Sequence, residues 1–110
     1  MQIRIQVKGL PGASRLRRLA LDKLSSVLAH FSQAIEEASI LLDDINGPDR
    51  GGADKLCRVV LRMKDSTIVI VEELGADIAK TISRAVDRLH QNLSRQMSKL
   101  LTINRTGVIQ

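Results

Sequence analysis

Aromatic side chains are nearly missing from this chain, which has one phenylalanine, Phe31, and neither tryptophan nor tyrosine in 110 residues. A protein so poor in π-faces has little with which to stack the bases of a flexible single strand, the more so because Phe31 falls at a core position. The single cysteine, Cys57, excludes an internal disulfide. Two histidines, His30 and His90, stand alone in helical segments and with Cys57 match none of the zinc-ligand spacings, so neither metal nor cofactor is expected. A nucleophile paired with a base is equally lacking, and the chain is not expected to be an enzyme. The Gly51-Gly52 segment has no lysine and hydroxyl residue following it as a phosphate-binding loop requires, and reads as a hairpin connection. No apolar run approaches the ~20 residues of a membrane span, and no signal-like leader opens the sequence, so a cytoplasmic protein is expected.

What is present suits one ordinary globular domain: 44% apolar and 26% charged residues, with a formal net charge of +5. The charge is segregated. Ser14 to Phe31 carries Arg15, Arg17, Arg18 and Lys23 against Asp22 alone, whereas Glu36, Glu37, Asp43, Asp44, Asp49 and Asp54 gather in the middle of the chain. Such a dipolar distribution orients a protein on a polyanion. The carboxylate pairs Glu36-Glu37 and Asp43-Asp44 read as solubilising edges, because neighbours on a strand point to opposite faces.

Periodicity gives the elements. Gln2 to Lys8 alternates, with Ile3, Ile5 and Val7 on one side, as a half-buried strand does. Ser14 is placed to cap a helix whose apolar positions Leu16, Ala20, Leu24, Val27, Leu28 and Phe31 follow the 3.6-residue period. Arg17 sits at the edge of that apolar stripe. Two strands follow, about 34–45 and 55–64, joined by a long loop rich in turn formers, with Cys57, Val59, Leu61 and Met63 facing inward. A turn at Asp65 and Ser66 leads to a strand over 67–73, Gly75 breaks the chain, and a second helix runs from Asp77 to Lys99. Residues 1–101 thus form one domain and 102–110 a tail with no clear period.

The order β-α-β-β-β-α predicts a two-layer α+β domain, a four-stranded sheet carrying two helices on one face. That leaves a sheet face uncovered, showing Arg4, Gln6, Leu41, Val60, Arg62 and one set of residues from the last strand, to be covered by a homodimer contact or by the C-terminal tail. The second helix has two unlike sides. Ile78, Ile82, Ala85, Leu89 and Leu93 want a core, while Lys80, Arg84, Arg88, Arg95 and Lys99 fall in a stripe ~100° wide on the other side. With Arg15, Arg17, Arg18 and Lys23 these are the candidate phosphate contacts.

Asp22-Lys23-Leu24-Ser25, Asp54-Lys55-Leu56-Cys57 after a glycine-rich loop, and Ile82-Ser83-Arg84-Ala85-Val86-Asp87-Arg88-Leu89 occur in this order on these elements. In them the chain resembles the ribosome hibernation-promoting and ribosome-associated inhibitor family over about residues 1 to 99. Ser83, Gln91-Asn92 and Ala79 depart from the family's usual pattern, pointing to a divergent branch. The resemblance implies a fold similar to double-stranded RNA-binding domains, and a short form without the additional C-terminal domain of long members. It further implies binding to the small ribosomal subunit and its rRNA in the channel used by messenger and transfer RNA, silencing idle ribosomes. Carried over by position, it points to Arg17, Lys23, Arg88 and Arg95 as rRNA contacts. Two other readings stand beside it: a protein interaction module using the open sheet face, and a generic binder of double-stranded RNA.

Overall fold

The computed structural model describes residues 2–46 and 54–109, with side chains described as far as residue 97. The loop containing Gly51 and Gly52 and the side chain of Lys99 lie outside the described residues. The element order is β1 (Gln2–Lys8), α1 (Ala13–His30), β2 (Ile35–Asp44), β3 (Lys55–Met63), β4 (Ile68–Gly75) and α2 (Ile78–Ile109). This is the expected two-layer α+β architecture. The sheet order is β1-β2-β3-β4, mixed: α1 is the crossover that lets β1 run parallel to β2, while β2, β3 and β4 form an antiparallel meander.

Alternation decides which face is buried. Ala38, Ile40 and Leu42 of β2, Cys57, Val59, Leu61 and Met63 of β3, and Val69 and Val71 of β4 meet Leu16, Ala20, Leu24, Val27, Leu28 and Phe31 from α1. Ile82, Ala85, Val86, Leu89 and Leu93 of α2 complete the core. Ile35 is buried as well, three residues before Ala38, because the β2–β3 register shifts between Ile35 and Glu37. The extra residue, Glu36, lets two adjacent glutamates stay out of the core. On β1, an edge strand, burial is shallower: Ile5 and Val7 are half-buried and Ile3 is 39% exposed.

Four local readings of the sequence need correction. Gly12, not Ser14, precedes the first turn of α1; its φ of 69° turns the chain straight into the helix, and Leu16 N–H closes the first turn on the Gly12 carbonyl oxygen at 3.0 Å. The fourth strand does not stop at Glu73 but runs to Gly75, which is paired with Lys55 and buried against Thr81 and Arg84 of α2. Segment 102–109 has helical backbone, because extending a formed helix adds a hydrogen bond per residue without a new nucleus. Finally, Asp44 is no solubilising edge: it is 8% exposed, as buried as the core around it.

That last correction reveals a polar knot at the end of the sheet. Lys55 Nζ lies 2.8 Å from Asp54 Oδ1 and 3.2 Å from Asp44 Oδ2, and both carboxylates are nearly fully buried. The hydrogen bond that Lys55 Nζ donates to Asp54 is the largest influence holding its ammonium above the ordinary pKa, with Asp44 adding to it against desolvation. Among the described residues Asp54 Oδ2 has no hydrogen-bond partner, and the charge of Lys55 is what offsets the burial of that carboxylate.

Candidate nucleic-acid interface

Two helices side by side on a sheet leave a groove between them. Here Leu19, Lys23 and Ser26 of α1 face Lys80, Ser83, Arg84, Asp87 and His90 of α2 across two adjoining cavities of about 310 and 570 Å³, which share Lys23 and Ser83. Asp77 sets the start of α2: its Oδ1 accepts the backbone N–H of Ala79 at 2.9 Å and of Lys80 at 3.2 Å. Its carbonyl oxygen accepts the Thr81 hydroxyl at 2.7 Å. The first turn is thereby fixed, and with it the position of Lys80 at the groove mouth.

The candidate cations fall into two groups. Arg15, Arg17, Arg18, Lys80 and Arg95 are exposed and Lys23 is half-buried. Among the described residues none of these six side chains makes an ion pair or a hydrogen bond. Arg84 and Arg88 are exposed too but hold β4: Arg84 donates to the Leu74 carbonyl oxygen at 3.1 Å, and Arg88 to the Glu72 carbonyl oxygen at 3.1 Å and to Glu73 Oε1 at 2.9 Å. The stripe read from the sequence is therefore part free charge and part latch. Of the described candidates, Lys23, Lys80 and Arg84 line the groove. Arg17, exposed, lies about 120° around α1 from Lys23 and away from the groove, so the edge position in its helical stripe resolves toward solvent.

The opposite layer has a different charge economy. Arg58 donates to Glu72 Oε2 from Nε at 3.0 Å and Nη2 at 2.9 Å, Arg62 to Glu37 at 2.8 Å, and Arg4 lies 3.8 Å from Glu37. Leu41 and Val60 are half-buried on this open face, where the alternation put them. The sheet face thus pairs its described arginines with glutamates, while six cations of the helix layer make no ion pair among the described residues.

Sequence reasoning missed one cluster. His30 ends α1 and His90 lies mid-way along α2, yet their ring centroids are 5.8 Å apart, both against Phe31 at 4.7 and 5.6 Å. Separation in sequence hid this; only the packing of α1 on α2 brings the rings together. Cys57 is fully buried, and burial, with the Glu73 charge second, pushes its thiol up to about 12. No helix among the described residues is long and apolar enough to cross a membrane.

Fold and charge together define a two-layer α+β domain with one unneutralised basic layer. The family follows from the sequence: the family of sigma 54 modulation protein / S30EA ribosomal protein matches residues 3–101, and the chain belongs to it. This is the ribosome hibernation family that segments 22–25, 54–57 and 82–89 resemble. Among solved structures, a ribosomal subunit interface protein from Coxiella burnetii superposes with a TM-score of 0.71 at 17% identity, covering 89% of this chain and 99% of that one. The N-terminal domain of Protein Y from Thermus thermophilus superposes with a TM-score of 0.67 at 25% identity, covering 86% and 98%. No curated protein sequence matches the chain.

Proposed function

We propose that this chain is a ribosome-associated factor in which residues 1–101 bind rRNA of the small subunit near the decoding channel, inhibiting translation or stabilising idle ribosomes. Family membership supports the ribosome as target. The observation that carries the RNA reading is the contrast between layers: the described arginines of the sheet face are paired with glutamates, whereas Arg15, Arg17, Arg18, Lys23, Lys80 and Arg95 are not. Arginine holds phosphate oxygens with two parallel hydrogen bonds, lysine supplies a point charge, and each neutralised phosphate releases counterions. Shape rather than base identity then selects the site, since closely set phosphates of folded rRNA match cations fixed on two rigid helices. No reaction step is involved.

The test is sedimentation of the protein with separated subunits over a salt series. With four to six phosphates neutralised, affinity for the small subunit should fall roughly 10²- to 10³-fold between 50 and 200 mM salt. The variant Lys23→Glu/Lys80→Glu/Arg95→Glu, which leaves the β4 latches intact, should not bind at physiological salt. Undiminished binding by that variant would sink the helix-layer site. Competition by plain duplex RNA as strong as by subunits would favour a generic duplex binder instead.

A further inference from the structure

The sheet face turned away from the helices is a second surface with its own order. Reading across the strands, Arg4, Ser39, Val60 and Ile70 form one row, and Gln6, Leu41, Arg58 and Glu72 the next; Leu56 pairs with Leu74 and Arg62 with Ile68 at the two ends. Apolar side chains crowd the β3–β4 half, where Ile68, Ile70 and Leu74 are 52, 56 and 47% exposed beside half-buried Val60 and Leu56. Such a cluster on a small soluble domain marks an interaction surface. Its charges are of both signs and close to balance, so the face does not suit a polyanion. It suits a surface with an apolar centre and matching pairs of opposite charge.

We propose that the face is a docking surface for a second copy of this chain. A two-fold axis parallel to the strands and lying between β3 and β4 carries β3 of one copy over β4 of the other and leaves each row in place. Val60 then packs on Ile70 of the second copy and Leu56 on its Leu74. Arg58 faces its Glu72, and every contact is made twice. Aligned sheets packed at the usual ~30° angle and ~10 Å separation tolerate this arrangement. The Arg58–Glu72 ion pair, cross-strand within one copy, becomes a four-membered network of alternating sign at the interface centre. Overlap of two strands of this length buries on the order of 1,000 Å² in total, the low end for specific pairs, so the dimer is reversible and dissociates in the micromolar range or above. The helices lie on the outside of both copies, so dimerisation and RNA binding are separate properties that can fail independently.

Sedimentation velocity from about 5 to about 500 μM, spanning the dissociation constant expected of such an interface, reads the proposal directly. The wild-type protein should shift from monomer to dimer over that range. Ile70→Lys, at an exposed position whose loss leaves the core intact, should remain monomeric with unchanged melting temperature and unchanged subunit binding. Arg58→Glu and Glu72→Arg should each be monomeric, one with a negative centre and the other with a positive one. Mixed in equal amounts, they should form a heterodimer at least about tenfold tighter than either homodimer, one such factor being about 1.4 kcal/mol. A wild-type protein that stays monomeric throughout leaves the face to a different partner and overturns the proposal. Dimerisation undiminished in Ile70→Lys, or no gain on mixing the charge variants, overturns it too.

Discussion

Arg88 and Glu73 are joined across the α2–β4 boundary, Nη1 to Oε1 at 2.9 Å, and the same nitrogen reaches the Glu72 carbonyl oxygen at 3.1 Å. A residue that helical spacing aligns with Lys80 and Arg95 thus has a structural duty they lack. Lys80→Gln should lower the salt slope of RNA binding by about one unit while leaving the melting temperature alone. Arg88→Gln should cost stability, by about 0.5 kcal/mol given that its side chain is 58% exposed and screened. Parallel urea titrations and salt-dependent binding curves separate the two. Equal loss of stability in both variants would refute the division of the stripe.

Gly75 is required by close approach rather than by its backbone angles. A Cβ there would run into the Thr81 hydroxyl and an Arg84 guanidinium nitrogen. Arg84 can swing away, but Thr81 is fully buried and its hydroxyl is held by the Asp77 carbonyl oxygen. Gly75→Ala should therefore destabilise by about 1–3 kcal/mol, the usual cost of overpacking. In Gly75→Ala/Thr81→Ala the penalty should be less than the sum of the single changes, because removing the hydroxyl makes room. Strict additivity in urea unfolding would show that the clash is not the cause.

These two cases show what a sequence can and cannot disclose. The 2.0 and 3.6 periods in β1, β3, α1 and α2 were enough to give the element order, the buried positions and the open face with Leu41 and Val60, because amphipathic spacing is written in single residues and their near neighbours. The basic stripe was legible for the same reason. Which of its members are free was not: Arg84 and Arg88 find acceptors on β4 that only the α2–β4 packing supplies. Asp54 is the sequence neighbour of Lys55, but Asp44 lies across the central loop, and only hairpin pairing brings it to Lys55. Ile68, Ile70 and Leu74 could have been found, since β4 carries large apolar residues at both parities while only one face of a two-layer sheet is covered.

The polar knot should be felt when its cation is removed. Lys55→Met leaves the Asp44 and Asp54 carboxylates buried without that charge, so the urea midpoint should drop clearly at neutral pH. The pH dependence follows from the raised pKa of Lys55. Its contribution is complete below the ordinary lysine value of 10.5 and is lost as pH climbs through the higher value of the folded state. The stability gap between wild type and variant should be flat through neutrality and close on the alkaline side as Lys55 loses its proton. A gap that closes between pH 6 and 9 would mean that some other group carries it.

Cys57 gives a sensitive report on whether the core is as closed as its burial indicates. Burial first and the Glu73 charge second raise its thiol to about 12, so at pH 8 only about one molecule in 10⁴ carries the thiolate in the native state. An unfolded chain, with a thiol near 8.5, is about one-quarter ionised at that pH. The native protein should accordingly resist alkylation almost completely, and labelling should track the fraction unfolded across a urea series, because the buried sulfur reacts only when the β3 face opens. Mass spectrometry after a fixed pulse of iodoacetamide gives the modified fraction at each urea concentration. If native labelling ran within a factor of ten of the unfolded rate, the sheet would have to open locally at Leu42, Cys57 and Glu73, which lie in register across β2, β3 and β4, without global unfolding. That would count against the packing of α2 over β3.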